Sequence, residues 1–155
     1  MSDETVENAH RYFDADHNCA QAVLRAVLER YGLYFDEATA VIAGMGGGIG
    51  LQGNVCGAVS GAVAAFGVLN RQRISDFKEH KEATYTSAIK FMYKFKNLHE
   101  SVICETLTGI KMSDQEARKE AIDKRHFHKI CPQFVEDTVK IVTEMEDKAR
   151  SEWSM

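Results

Sequence analysis

Apolar residues along the chain recur at spacings of three and four rather than alternating, the period of helices that bury one stripe. Residues 19–31, CAQAVLRAVLERY, are the clearest case, with Ala20, Val23, Leu24, Val27, Leu28 and Tyr31 on one face. Asn18 is placed to cap this helix and Gly32 to stop it. Residues 3–13, DETVENAHRYF, predict a shorter amphipathic helix before it. Asp36 is placed to cap a third helix over EATAVIAGM, and Asn54 a fourth over VCGAVSGAVAAFGVL. The fourth is apolar on every side, which marks a helix surrounded by others. Its Gly57, Ala58, Gly61, Ala62 and Ala65 would let neighbouring backbones come close.

Residues 76–99 predict one long amphipathic helix, with Phe77, Tyr85, Ile89, Met92, Tyr93 and Phe95 as its core stripe. A short helix around ESVICETL follows, closed by Gly109. Ser113 and Glu116 form a capping-box pattern before ARKEAIDKRH. Pro132, the only proline, fits the first turn of a last helix with Phe134, Val135, Val139, Val142 and Met145 inward. The fold class is all-α: a single-domain bundle of about six to seven helices over residues 1–155, with the glycine/alanine-rich helix buried at its centre.

A net charge of −4 lacks the basic footprint that nucleic-acid binding requires. The uncharged run from Ala38 to Asn70 is long, but Gly46, Gly47, Gly48, Gly50 and Gly53 cut it in two, which argues against a membrane span. The opening MSDETVENAH is acidic and has no apolar leader, so a cytoplasmic location is expected.

Residues 44–61, GMGGGIGLQGNVCGAVSG, hold eight of the eleven glycines and one of the four cysteines. GIGLQG at 48–53 matches the dinucleotide fingerprint in spacing only. That chemistry needs a strand into the first glycine and an acid on a second strand about 20 residues on. Here both flanks read as helix. No Gly-Lys-Ser/Thr occurs, so an ATP-type phosphate loop fails too. A glycine-rich turn between buried helices accounts for the glycines but not for a cysteine in the helix they feed.

Cys19, Cys56, Cys104 and Cys131 are separated by 37, 48 and 27 residues, with no C-x-x-C. Cys19, Cys56 and Cys131 fall at predicted helix starts, where free amides and the helix dipole favour a thiolate. Lowered thiol pKa values are therefore expected there. Cys104 is expected within a short helix.

These residues carry a resemblance. Cys19, then C-G-A-x-x-G at Cys56–Gly61 behind a glycine turn, then Cys104 and Cys131, is similar to the C-GCAxxG-C-C family of redox-active proteins. HNCAQAVLRAV resembles that family's opening and FKNLHESVICETLTG its third-cysteine segment. The family is similar to one part of split-Soret cytochrome c, where a comparable cysteine set is associated with an iron–sulfur site. This chain has no C-x-x-C-H, so haem chemistry does not carry over.

Four thiolates in an uncharged, glycine-lined pocket suit an iron–sulfur cluster of the 2Fe–2S type passing single electrons. Gly53, Gly57 and Gly61 would support it through the backbone, with turn amides and that of Gly57 reaching the sulfurs. His17 and Asn54 are candidates for an outer contact. Zinc accepts the same four ligands in a structural role, and a metal-free dithiol/disulfide couple is the third chemistry. His126 and His128 with Cys131 form H-x-H-x-x-C, whose charged surroundings favour a helix end over ligation. Ser60 is not in a nucleophile elbow, and no residue is assigned as catalytic. An electron-transfer protein or oxidoreductase is the implied partner, and small-residue helix faces leave pairing of two chains open.

Overall fold

A computed structural model of the chain describes residues 2–153. Eight α-helices follow in order: α1 (Ser2–Ala15), α2 (Cys19–Arg30), α3 (Glu37–Val41), α4 (Gly57–Arg71), α5 (Phe77–His99), α6 (Cys104–Thr108), α7 (Gln115–Asp123) and α8 (His126–Trp153). A 3-10 turn at Ala43–Met45 leads into the glycine stretch. The all-α expectation holds. The described residues hold eight helices against the six to seven expected, with α3 and α6, both anticipated, only five residues each.

Helix α4 is the centre, packed against α2, α5 and α8, while α1 covers α2 and α8. Its small residues are used inside the chain. A Cβ added to Gly61 would lie 2.7 Å from the Ala20 carbonyl oxygen and 3.1 Å from the Val23 Cβ, so α2 and α4 touch backbone to backbone. Gly61 is thus spent on packing inside the chain. Around α4 the core holds Val23, Val27 and Leu28 from α2, and Val135, Val139 and Val142 from α8.

Phe91 and Phe95 of α5 are fully buried against Phe66 and Phe134, each contributing about 2–3 kcal/mol by burial. Met92 is half-buried against the core, but the rest of the expected α5 stripe lies elsewhere. Phe77, Tyr85, Ile89 and Tyr93 are exposed. Residues 89 and 91 are two positions apart, about 200° around a helix, so one stripe excludes the other. The face with Asn70 opposite Thr84 and Ser87 is the one that packs.

The caps divide in the same way. Asn18 makes the full capping box with Gln21, accepting from its amide at 2.9 Å and donating its own amide to its side chain at 3.0 Å. Asp36 makes no side-chain cap. Asp114, not Ser113, caps α7, accepting from the amides of Glu116 and Ala117. Helix α8 begins at His126, so Pro132 lies inside it rather than in its first turn.

Candidate functional site

The four cysteines arrive on four different elements. Cys19 is the first residue of α2, Cys56 the N-cap of α4 and Cys104 the first residue of α6. Cys131 lies in the second turn of α8, not at a helix start, because the helix runs through the proline that was expected to open it. All four line one cavity of about 210 Å³. Cys56, Cys104 and Cys131 are buried, and Cys19 keeps some accessible surface.

Two devices place Cys56 and Cys104 side by side. Val55 and Ile103 form an antiparallel bridge. Around it the Cys56 amide donates to the Val102 carbonyl at 2.8 Å, and the Cys104 amide to the Asn54 carbonyl at 2.6 Å. Glycine supplies the second device. Gly48, at φ +70, lies so close that an added Cβ would be 2.7 Å from the Cys104 Cβ and 2.6 Å from the Asn54 nitrogen. A Cβ on Gly57 would be 3.2 Å from the Cys19 Cβ. The glycines therefore bring the cysteine-bearing backbones together, which only a residue without a side chain permits.

The second half of the turn keeps its amides for itself. Those of residues 49–54 donate to carbonyls of residues 44–49, closing the turn on itself. The amides that reach the Cys56 sulfur are those of Ala58 and Val59, the free donors of an α-helix start. Gly57 lines the cavity, whereas Gly53 is packed on Glu105 and Gly61 on Ala20. Asn54 does not cap α4; its side chain is exposed and its backbone serves the bridge. His17 also lies away from the cavity lining. It is held by Asp16 at 2.8 Å and Arg25 at 3.3 Å and stacked on Tyr12. His126 binds the Thr108 carbonyl at 2.8 Å and His128 packs on Phe13.

The electrostatics reverse the expected lowering at helix starts. Burial pushes the Cys56 thiol up to about 11, although the Ala58 and Val59 amides pull the other way. Burial, then the nearby Cys56 and Cys131, push Cys104 up to about 12. Cys19 is also raised, by its contact with Cys131 and by burial. Cys131 alone is lowered, through the same contact. An apolar wall disfavours a bare thiolate more than one helix end favours it.

Several lining residues carried no signal in the sequence. Phe13, Leu51, Met112, Ile122 and Phe127 make the cavity apolar together with Phe134, which was expected to face inward, and Arg118 is the one charged residue on its wall among the described residues. Arg118 is fixed by donating to the Met112 carbonyl at 2.6 Å. Among the described residues no three of His, Cys, Asp and Glu are disposed around a single ion position. No helix among them is long and apolar enough to cross a membrane.

The order and spacing of these cysteines decide the family. The profile described as "Putative redox-active protein (C_GCAxxG_C_C)" matches residues 17–145, from just before Cys19 to past Cys131. The chain belongs to the C-GCAxxG-C-C family. No curated protein and no solved structure matches it significantly. The family's cysteine pattern thus corresponds here to sulfurs from α2, α4, α6 and α8 on one cavity wall.

Proposed function

We propose that this redox-active family member carries single electrons through an iron–sulfur cluster of the 2Fe–2S type held by Cys19, Cys56, Cys104 and Cys131. The observation that carries this reading is the convergence of all four sulfurs on one apolar cavity. The donor set fits: four thiols are the ligand type such a cluster takes. The cavity, about 210 Å³, is several times the roughly 30 Å³ of one water.

When bound, the cluster would supply a one-electron couple. The chain's own contribution is to exclude water and to set charge. Leu107, Phe127 and Phe134 would set apolar side chains beside the sulfurs, and the Ala58 and Val59 amides remain aimed at Cys56. Three thiols that hold their protons in an apolar cavity must release them to become ligands. Loading should therefore release protons and weaken in acid. The electron partner would be a protein or oxidoreductase able to approach this end of the bundle.

Metal and sulfide analysis of protein purified without oxygen tests the reading. Iron, acid-labile sulfide and visible absorption lost in Cys56→Ser are expected. A colourless, iron-free protein overturns it, and stoichiometric zinc assigns the site a structural metal instead.

The contact of Cys19 with Cys131 supports a second reading, a metal-free dithiol. Cys131, the more acidic thiol, would attack a partner's disulfide, and Cys19 would then displace the mixed disulfide. A Cys19–Cys131 disulfide and two partner thiols result, with two electrons passed to the partner.

A further inference from the structure

We propose that two copies of the chain pair antiparallel along the outer face of α5, an interface that stands apart from the cysteine chemistry. The side chains that the core leaves out are large: Tyr85 is 62% exposed, and Ile89 and Tyr93 are each 69% exposed. With Lys78, Glu82 and Lys96 they form a single stripe, since steps of three and four residues keep one helix face, and Glu100 follows it as the left-handed cap one residue past the helix.

The stripe is a palindrome about Ile89 with its charges reversed. Tyr85 and Tyr93 stand four residues to either side, Glu82 and Lys96 seven, and Lys78 and Glu100 eleven. A second copy turned about a twofold axis at Ile89 would set isoleucine on isoleucine and tyrosine on tyrosine. Glu82 would face the partner's Lys96, and Lys78 the partner's Glu100. A parallel alignment would instead oppose Glu82 to Glu82 and Lys96 to Lys96. Self-complementarity of this kind is what a twofold interface demands, and like charges in register select against the alternative.

The charges are available. Lys78, Glu82, Lys96 and Glu100 are exposed, and among the described residues the intrachain ion pairs use other groups. The apolar face is also wider than the stripe. Ala88 and Met92 lead into a shallow apolar groove lined by Met45, Ile49, Val63 and Ala64. An unrelated partner would have no reason to match a charge pattern that inverts about its own midpoint. A second copy of the chain matches it by symmetry.

Sedimentation equilibrium of the full chain tests the proposal, with circular dichroism as the control for folding. The native protein should be a dimer at micromolar concentration and Ile89→Arg a folded monomer. Glu82→Lys and Lys96→Glu should each raise the dimer dissociation constant about tenfold or more. Both changes in one chain should restore pairing, and mixing the two single variants should give a heterodimer. A monomeric native protein overturns the proposal. So does a dimer indifferent to Ile89→Arg, or single variants that fail to rescue each other.

Discussion

Cys19 and Cys131 meet thiol to thiol, with Cys131 the more acidic of the pair, joining the first turn of α2 to the second turn of α8. The contact makes two chemically identical groups unequal. Cys131 gives up its proton more easily because the resulting anion keeps a donor, while Cys19 holds its own more tightly.

Alkylation of the reduced, metal-free protein should show that order. With peptide-resolved mass spectrometry, Cys131 should react with a small alkylating agent below the ordinary thiol midpoint of 9.0. Cys56 and Cys104 should follow only as pH nears about 11 and about 12. Cys19→Ala removes the donor and should move the Cys131 midpoint upward. Four coincident midpoints would contradict the assignment.

The raised thiols also set how stability depends on pH. A thiol whose folded pKa exceeds its unfolded value keeps its proton in the native state after the unfolded chain has lost it. Its contribution is full below the unfolded value and is lost as pH rises through the folded one. For Cys56 that window runs from 9.0 to about 11. Urea midpoints of the metal-free protein should fall across it, and Cys56→Ala should flatten the fall. A midpoint that stays level over this range would remove burial as the cause.

The glycines predict a link between packing and the site. Gly61→Ala would push a methyl into the Ala20 carbonyl, which is backbone and cannot turn away. A loss of about 1–3 kcal/mol is expected from such overpacking. Because α2 and α4 carry Cys19 and Cys56, the same change should shift the Cys131 alkylation midpoint. Gly67→Ala meets nothing within 4 Å and should be neutral or slightly stabilising. Equal effects at both positions would show that backbone contact is not what matters at Gly61.

How far the sequence reaches follows from which forces are local. Asn18 and its capping box are legible because both partners lie within one turn, and the α2 stripe because its period is its own. Which face of α5 packs is not legible: both faces are aromatic, and only Phe66 and Phe134 on other elements decide. Cysteine order pointed to one site, but thiol acidity did not follow from helix position. The walls that oppose ionisation, Phe127 and Met112 among them, come from distant segments. The bridge of Val55 with Ile103 is similarly non-local, pairing residues 48 positions apart across α4 and α5.

At the opposite end from the cysteines, Glu146 of α8 is 2% exposed and accepts from Arg73 at 2.7 and 3.0 Å and from Arg150 at 2.7 Å. Arg73 also donates to Asn70 at 3.0 Å, whose amide donates to Thr84 and Ser87, so one carboxylate ties α4, α5 and α8. Glu146→Ala leaves the Arg73 guanidinium largely buried without its counter-charge and should cost about 3 kcal/mol. For a chain of this size that lowers Tm by about 10 °C. Combining Arg73→Met with Glu146→Leu should recover most of the loss, because apolar replacement of both partners leaves no buried charge alone. None of Asn70, Arg73 or Glu146 lines the cysteine cavity. The thiol midpoints should therefore stay fixed while Tm falls, and midpoints that move with Glu146 would make the two ends of the bundle one coupled unit.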